Sequence, residues 1–213
     1  MRKSLALNVA LLILSCHAML LASGNGKNAD PEVAVRVSHS GLIPGPTLRQ
    51  GQTVAKRIMA TAGVHVRWGY EGSKTESPVQ VCGGAVQTID LGFVYSTPPR
   101  YRASALAEAL PFAHSGIRIT VFFDRVSDIL ARYRIPAHLL LGHALAHEIG
   151  HVLLQNNGHA ETGLMKARWT SVDYYKMLAE PLRFTPGDAR TIRSNLAGCS
   201  LVADSRAVAA DNR

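Results

Sequence analysis

The chain is poor in charge, aromatics and cysteine. Of its 213 residues, 18% are charged and 6% aromatic, against 47% hydrophobic. That balance excludes a disordered polyelectrolyte, and the length suits one domain with a real core. The 23 Lys and Arg outnumber the 15 Asp and Glu, for a formal charge of +8, yet they nowhere run together. Without a basic cluster or recognition motif, nucleic-acid binding is not expected. The scattered charge suits anionic surroundings such as a cell envelope. Repeats and low-complexity tracts are absent, and beyond residue 24 no apolar run is long enough to cross a membrane.

The single long apolar run, Leu5 to Ala22, follows Arg2 and Lys3 and leaves through Ala22, Ser23 and Gly24. A basic start, an apolar middle and a small-residue exit describe a signal peptide over residues 1–24. Two other readings remain open. One is a retained anchor. The other is lipidation of Cys16, because Ile13-Leu14-Ser15-Cys16 resembles a lipobox. The expected location is secreted or in the envelope, with membrane attachment only through this segment or its lipid. In that setting Cys82 and Cys199 are expected to form one disulfide, two buried thiols being the alternative. Residues 25–32 read as a flexible leader, 33–200 as a single domain and 201–213 as a disordered tail.

Within the domain, alternation predicts strands at 33–37, 64–68, 79–81, 86–94 and 117–123. A helical stripe covers 47–62 and Gly63 ends it. The Ala/Leu-rich stretch 103–110 predicts a short helix. Pro136 sits where a helix can begin, and that helix runs to about Gln155, with Asn156-Asn157-Gly158 as its stop. Thr185-Pro186-Gly187-Asp188 is the start signal of a last helix ending near Gly198. Strands before, between and after helices predict a layered α/β (α+β) domain.

On the helix after Pro136 lies His147-Glu148-Ile149-Gly150-His151. Histidines four apart share a helix face, so two imidazoles can reach one metal ion. Glu148, one position on, reaches a water near that ion without ligating it. Zinc in such a site lowers the pKa of the water, and the glutamate takes its proton. Catalytic zinc sites use three protein ligands. His159, past the helix stop, is the best third candidate, with a plain loop histidine as its competing reading; Glu161 is the rival ligand. His143, one turn before His147, lines the site or is simply packed.

These residues, followed by Thr162-Gly163-Leu164-Met165, resemble the metzincin clan of zinc metallopeptidases, nearest to its matrixin-like branch and small secreted bacterial types. The specific span is 147–165. The resemblance implies a twisted mixed sheet packed on an active-site helix carrying HExxH, with a C-terminal helix. It implies Zn2+ on His147, His151 and His159, Glu148 as general base, and Met165 as the methionine of a turn beneath the metal, an ordinary core methionine being the alternative. The clan places a glycine three residues after the second histidine and the third ligand three residues later. Leu154 and Asn157 occupy those places here, and Gly158 and His159 follow. No tyrosine stands two residues past Met165, which leaves Arg168, Tyr174 and Tyr175 as candidates for oxyanion support. No latency cysteine motif is present. In related peptidases an extended substrate pairs with a sheet edge, for which 86–94, after Gly83-Gly84, is the candidate, an ordinary strand being its alternative.

The resulting expectation is a zinc-dependent endopeptidase acting on peptide or protein substrates. The alternatives are an inactive envelope binding or structural module on the same scaffold, and a zinc amidase acting on cell-wall amides.

Overall fold

A computed structural model describes residues 31–38, 40–71, 80–81, 85–86, 88–101, 105–110 and 116–197. The expected signal segment, nearly all of the leader, Gly83-Gly84, Cys82, Cys199 and the tail lie outside those residues. Among the described residues no helix is long and apolar enough to cross a membrane.

The strands are β1 (Glu32–Val37), β2 (His65–Tyr70), β3 (Gln80–Val81), β4 (Ala85–Val86), β5 (Ile89–Val94), β6 (Ala107–Leu110) and β7 (Arg118–Phe122). The helices are α1 (Gly45–Ala60), α2 (Phe123–Tyr133), α3 (Ala137–Leu154), α4 (Ser171–Ala179) and α5 (residues 186–197). Five strands form one mixed sheet in the order β2-β1-β5-β7-β6, while β3 and β4 pair as a separate two-stranded ribbon. All neighbours in the large sheet are parallel except β6, which runs antiparallel to β7. The expected α/β architecture, a mixed sheet on the helix that carries the motif with a helix at the C-terminal end, is the observed one.

The apolar alternation explains the sheet. Val33, Val35, Ile89, Leu91, Ile119 and Val121 are buried on their strands. Helices α1 and α3 pack on each other, α1 also contacting β2 and α3 contacting β6 and β7. Every residue from Leu140 to Leu154 in α3 is buried. A helix buried on all sides carries no polar face, so its side chains can serve only the core or the site.

Two expectations are corrected. The stretch 103–110 is not helical in its described part; residues 107–110 form the edge strand β6. Ala and Leu favour helix only weakly, and pairing with β7, Ala107 opposite Val121 and Ala109 opposite Ile119, outweighs that preference. The run 86–94 is not one strand, because Ala85–Val86 pairs in the ribbon and Ile89–Val94 in the main sheet. Strand β5 is flanked by β1 and β7, so its backbone is already paired and it offers no free edge. Helices α2 and α4 were not anticipated.

Local signals fix the later elements. The α4 start is a capping box: the Thr170 side chain faces the Asp173 backbone, and Asp173 accepts from the Thr170 N–H at 2.8 Å. The α5 start repeats it, with the Asp188 N–H donating to Thr185 Oγ1 at 3.1 Å and Thr185 N–H to Asp188 Oδ2 at 3.1 Å.

Candidate metal centre

Helix α3 presents His147 and His151 on one face, as a four-residue spacing requires. The chain then leaves the helix through Gln155, which adopts the left-handed conformation at φ 54°. The Gly158 N–H donates to Asn156 Oδ1 at 2.9 Å, closing a side-chain-supported turn. The reversal is therefore made at Gln155 and Asn156. Gly158 is not among the residues with positive φ. His159 comes back over the helix end, its ring centroid 4.8 Å from that of His151 and 5.5 Å from that of His147. The three histidines offer ligand nitrogens that all lie within 4.8 Å of one another, a group able to hold one metal ion. His147 and His151 are buried, while His159 is exposed at the mouth. Glu161 is exposed and is not part of the group.

Hydrogen bonds set the tautomers. His147 Nδ1 lies 2.9 Å from the Leu164 carbonyl oxygen, and His151 Nδ1 lies 3.0 Å from that of Asn156. A carbonyl only accepts, so both Nδ1 atoms donate and both Nε2 atoms carry lone pairs. Those two Nε2 atoms face each other at 3.1 Å. Two lone pairs so close repel unless a cation or a proton lies between them. Burial works against the proton: it drives the His147 pKa from 6.5 down to about 3 and lowers that of His151 as well. The arrangement therefore suits a metal cation.

His143 has a different job. Its Nδ1 donates to the Leu139 carbonyl at 2.7 Å and its Nε2 accepts the Leu182 N–H at 3.0 Å. Both nitrogens are engaged, so it is a buried strut between α3 and the segment before α5.

Met165 is buried, and an added Cβ on Gly150 would lie 2.7 Å from its sulfur and 2.8 Å from Phe184 Cε1. Glycine at the motif's fourth position lets Met165 pack directly on the helix behind the histidines. Gly163 at φ 75° makes the turn, and the Met165 carbonyl accepts the Ala160 N–H at 2.8 Å. The short loop from His159 to Met165 is thus closed on itself.

Glu148 is buried beside β6. Burial raises its pKa from 4.5 to about 8; the nearby Glu108 adds to the rise and the Ala109 backbone N–H offsets part of it. A cleft of about 1280 Å³ opens over the site, bordered by the β6 residues Glu108, Ala109 and Leu110 and by Arg168, Trp169 and Tyr174. Of the oxyanion candidates, Arg168 and Tyr174 border this cleft, whereas Tyr175 is 59% exposed and does not. Trp169 was not singled out by sequence. Its ring meets His147 edge-on at 5.6 Å, and its indole N–H donates to the Leu164 carbonyl at 3.1 Å, the same oxygen that receives His147. A lone tryptophan in a loop carries no pattern that would reveal this.

The metal-free protein has a characteristic pH response. His147 is neutral when folded but titrates at 6.5 when unfolded, so its contribution to stability is lost as pH falls from about 6.5 towards 3. His143 and His151 shift the same way. Glu148 has the opposite sign: its contribution is complete below 4.5 and is lost as pH rises through about 8. Between 4.5 and 6.5 His147, reinforced by the lowered His143 and His151, opposes Glu148, so stability in chelator should be highest near pH 6.5 and fall on both sides. Thermal melts in EDTA across this range test it; a monotonic profile contradicts the assignment.

No protein-family profile matches the chain, and no curated protein matches it. Among solved structures it is similar to the crystal structure of archaemetzincin from Methanopyrus kandleri. The identity is 13% and the TM-score 0.48, and the match covers 82% of this chain and 99% of that one.

Proposed function

We propose that this protein is a zinc-dependent endopeptidase. The observation that carries the reading is the convergence of three imidazoles on one point, two of them with facing lone pairs, with Glu148 one residue along and a substrate-sized cleft above. Zinc–nitrogen bonds of about 2.0–2.1 Å in a tetrahedron hold the nitrogens about 3.3 Å apart, close to the 3.1 Å between His147 Nε2 and His151 Nε2. His147, His151 and His159 would hold the ion and leave a fourth position open. Zinc bound there supplies Lewis-acid polarisation of a peptide carbonyl and of a water molecule.

The chain's own residues do the rest. Glu148 takes the proton of the attacking water as the oxygen–carbon bond forms, and delivers it to the amine nitrogen as the carbon–nitrogen bond breaks. A carboxyl group whose burial favours the protonated form suits the second half of that task. Among the described residues β6 is the edge strand beside Glu148, which already takes the Ala109 N–H; an extended peptide can pair with the remaining outward backbone groups, which would fix the scissile bond over the histidines. The part expected of 86–94 thus passes to β6.

The test is metal content with activity, for the parent and for His159→Ala. The parent should hold one zinc per chain and cleave casein. The variant should lose zinc affinity by about 100-fold or more and cleave far more slowly. Substoichiometric zinc in the parent, with no change on His159→Ala, would sink the reading in favour of a non-catalytic module.

A further inference from the structure

The same cleft carries an uneven set of charges. Five cationic side chains border it, Arg100, Arg125, Arg132, Lys166 and Arg168. Three are occupied within the fold. Lys166 pairs with Asp173, Arg125 donates to the Ala105 carbonyl at 3.3 Å, and Arg100 lies 4.8 Å above the Tyr101 ring. Arg132 on α2 and Arg168 after the methionine turn form no hydrogen bond or ion pair among the described residues. Both are exposed. Asp128, one turn before Arg132, also borders the cleft without pairing to it.

Arg132 and Arg168 come from separate elements, and both border the cleft that Tyr133, Trp169 and Tyr174 also line. Both guanidinium groups act on the ionisation of Tyr174. The Tyr174 ring packs on Tyr133 at 4.6 Å and on Trp169 at 6.5 Å, and Trp169 in turn touches His147. The wall therefore begins next to the metal centre, and the cleft it lines also holds two uncommitted cations. A cleft that combines aromatic surface with two uncommitted guanidinium groups suits a carboxylate on a short apolar stem.

We propose that the cleft selects substrates carrying a carboxylate close to the scissile bond, held between Arg132 and Arg168 above the wall of Tyr133, Trp169 and Tyr174. This rests on the peptidase reading for the identity of the bond. The carboxylate comes from an acidic side chain or from a free chain terminus, and the experiment separates the two.

Glu148→Gln protein, purified in zinc buffer, is titrated calorimetrically with a peptide series varied one position at a time. One arm carries internal glutamate with an amidated terminus, the second glutamine with an amidated terminus, and the third glutamine with a free terminus. At least one carboxylate-bearing arm should bind about tenfold more tightly than the neutral arm. The gap should narrow in about 0.5 M salt, since both arginines are exposed. It should close in Arg132→Gln/Arg168→Gln on the same background, and Arg168→Glu should shift preference towards lysine. Equal affinity in all arms, no measurable binding in any, or a gap that survives the double substitution overturns the proposal. If the parent cleaves none of these peptides while the gap persists, the peptidase reading fails and the carboxylate site stands. If it cleaves all arms equally, the reverse holds.

Discussion

Glu148→Gln should cut peptide cleavage by about 10²–10⁴-fold, the range that a positioned general acid–base group contributes, while zinc content stays at the parental level. The substitution keeps the shape of the side chain and removes only its ability to carry a proton. None of the proposed ligands is changed: His147 and His151 remain fixed by the Leu164 and Asn156 carbonyls. A second effect separates loss of chemistry from damage. The buried carboxyl group of the metal-free protein resists ionisation, with its pKa at about 8. Above that value the folded parent must hold a buried carboxylate, whereas the amide stays neutral. In EDTA the variant should therefore melt above the parent on the alkaline side and lose that advantage as pH falls. Turnover at the parental rate would refute the mechanism. A variant less stable than the parent at every pH would show that the site had been disrupted and not merely silenced.

Gly142→Ala should be the most damaging methyl addition in the core. Helices α1 and α3 touch at Gly51 and Gly142. A Cβ on Gly142 would stand 2.4 Å from Val54 Cβ and 2.7 Å from the Gly51 carbonyl oxygen. Neither is the end of a flexible side chain, so the helices must move apart. Overpacking of this kind costs about 1–3 kcal/mol, which in a domain of this size lowers Tm by roughly 2–12 °C. Gly51→Ala is the matched comparison, because its Cβ would meet the Leu141 side chain at 3.0 Å, which can rotate. Its melting shift should be smaller. Since α3 also carries the histidines, Gly142→Ala should weaken zinc binding, although residue 142 lies more than a helical turn from His147. Equal melting shifts for the two alanine variants would mean that the helices do not meet closely at Gly142.

The motif and the sheet were legible because their signals are local. Four-residue spacing puts His147 and His151 on one face in any helix, and alternation marks the β1 and β7 runs regardless of context. Thr185 with Asp188 announced α5 through a cap that needs no tertiary partner. Strand β6 was illegible because Ala107, Glu108, Ala109 and Leu110 have no strand preference; only β7 beside them makes them a strand. The centrality of β5 was hidden for a related reason, since strand order belongs to the sheet and not to any one strand. Helix α2 carried a readable stripe, Val126, Ile129, Leu130 and Tyr133, directly abutting β7 at Phe122. Trp169, Arg132 and Glu108 reach the cleft from three distant stretches, and nothing in their own neighbourhoods ties them together.

The bend after α3 has a consequence for finding similar chains. Left-handed backbone at Gln155 and a side-chain turn at Asn156 reverse the chain with no glycine three residues after the second histidine. A pattern search that demands that glycine, or a third histidine six positions after the second, passes over this chain. Relaxing it to HExxH followed by seven residues and a histidine, with an asparagine in the return and a methionine six residues further on, would gather sequences that bend in this way. Whether those sequences also keep two arginines flanking a tryptophan wall would then be a question a sequence survey could answer.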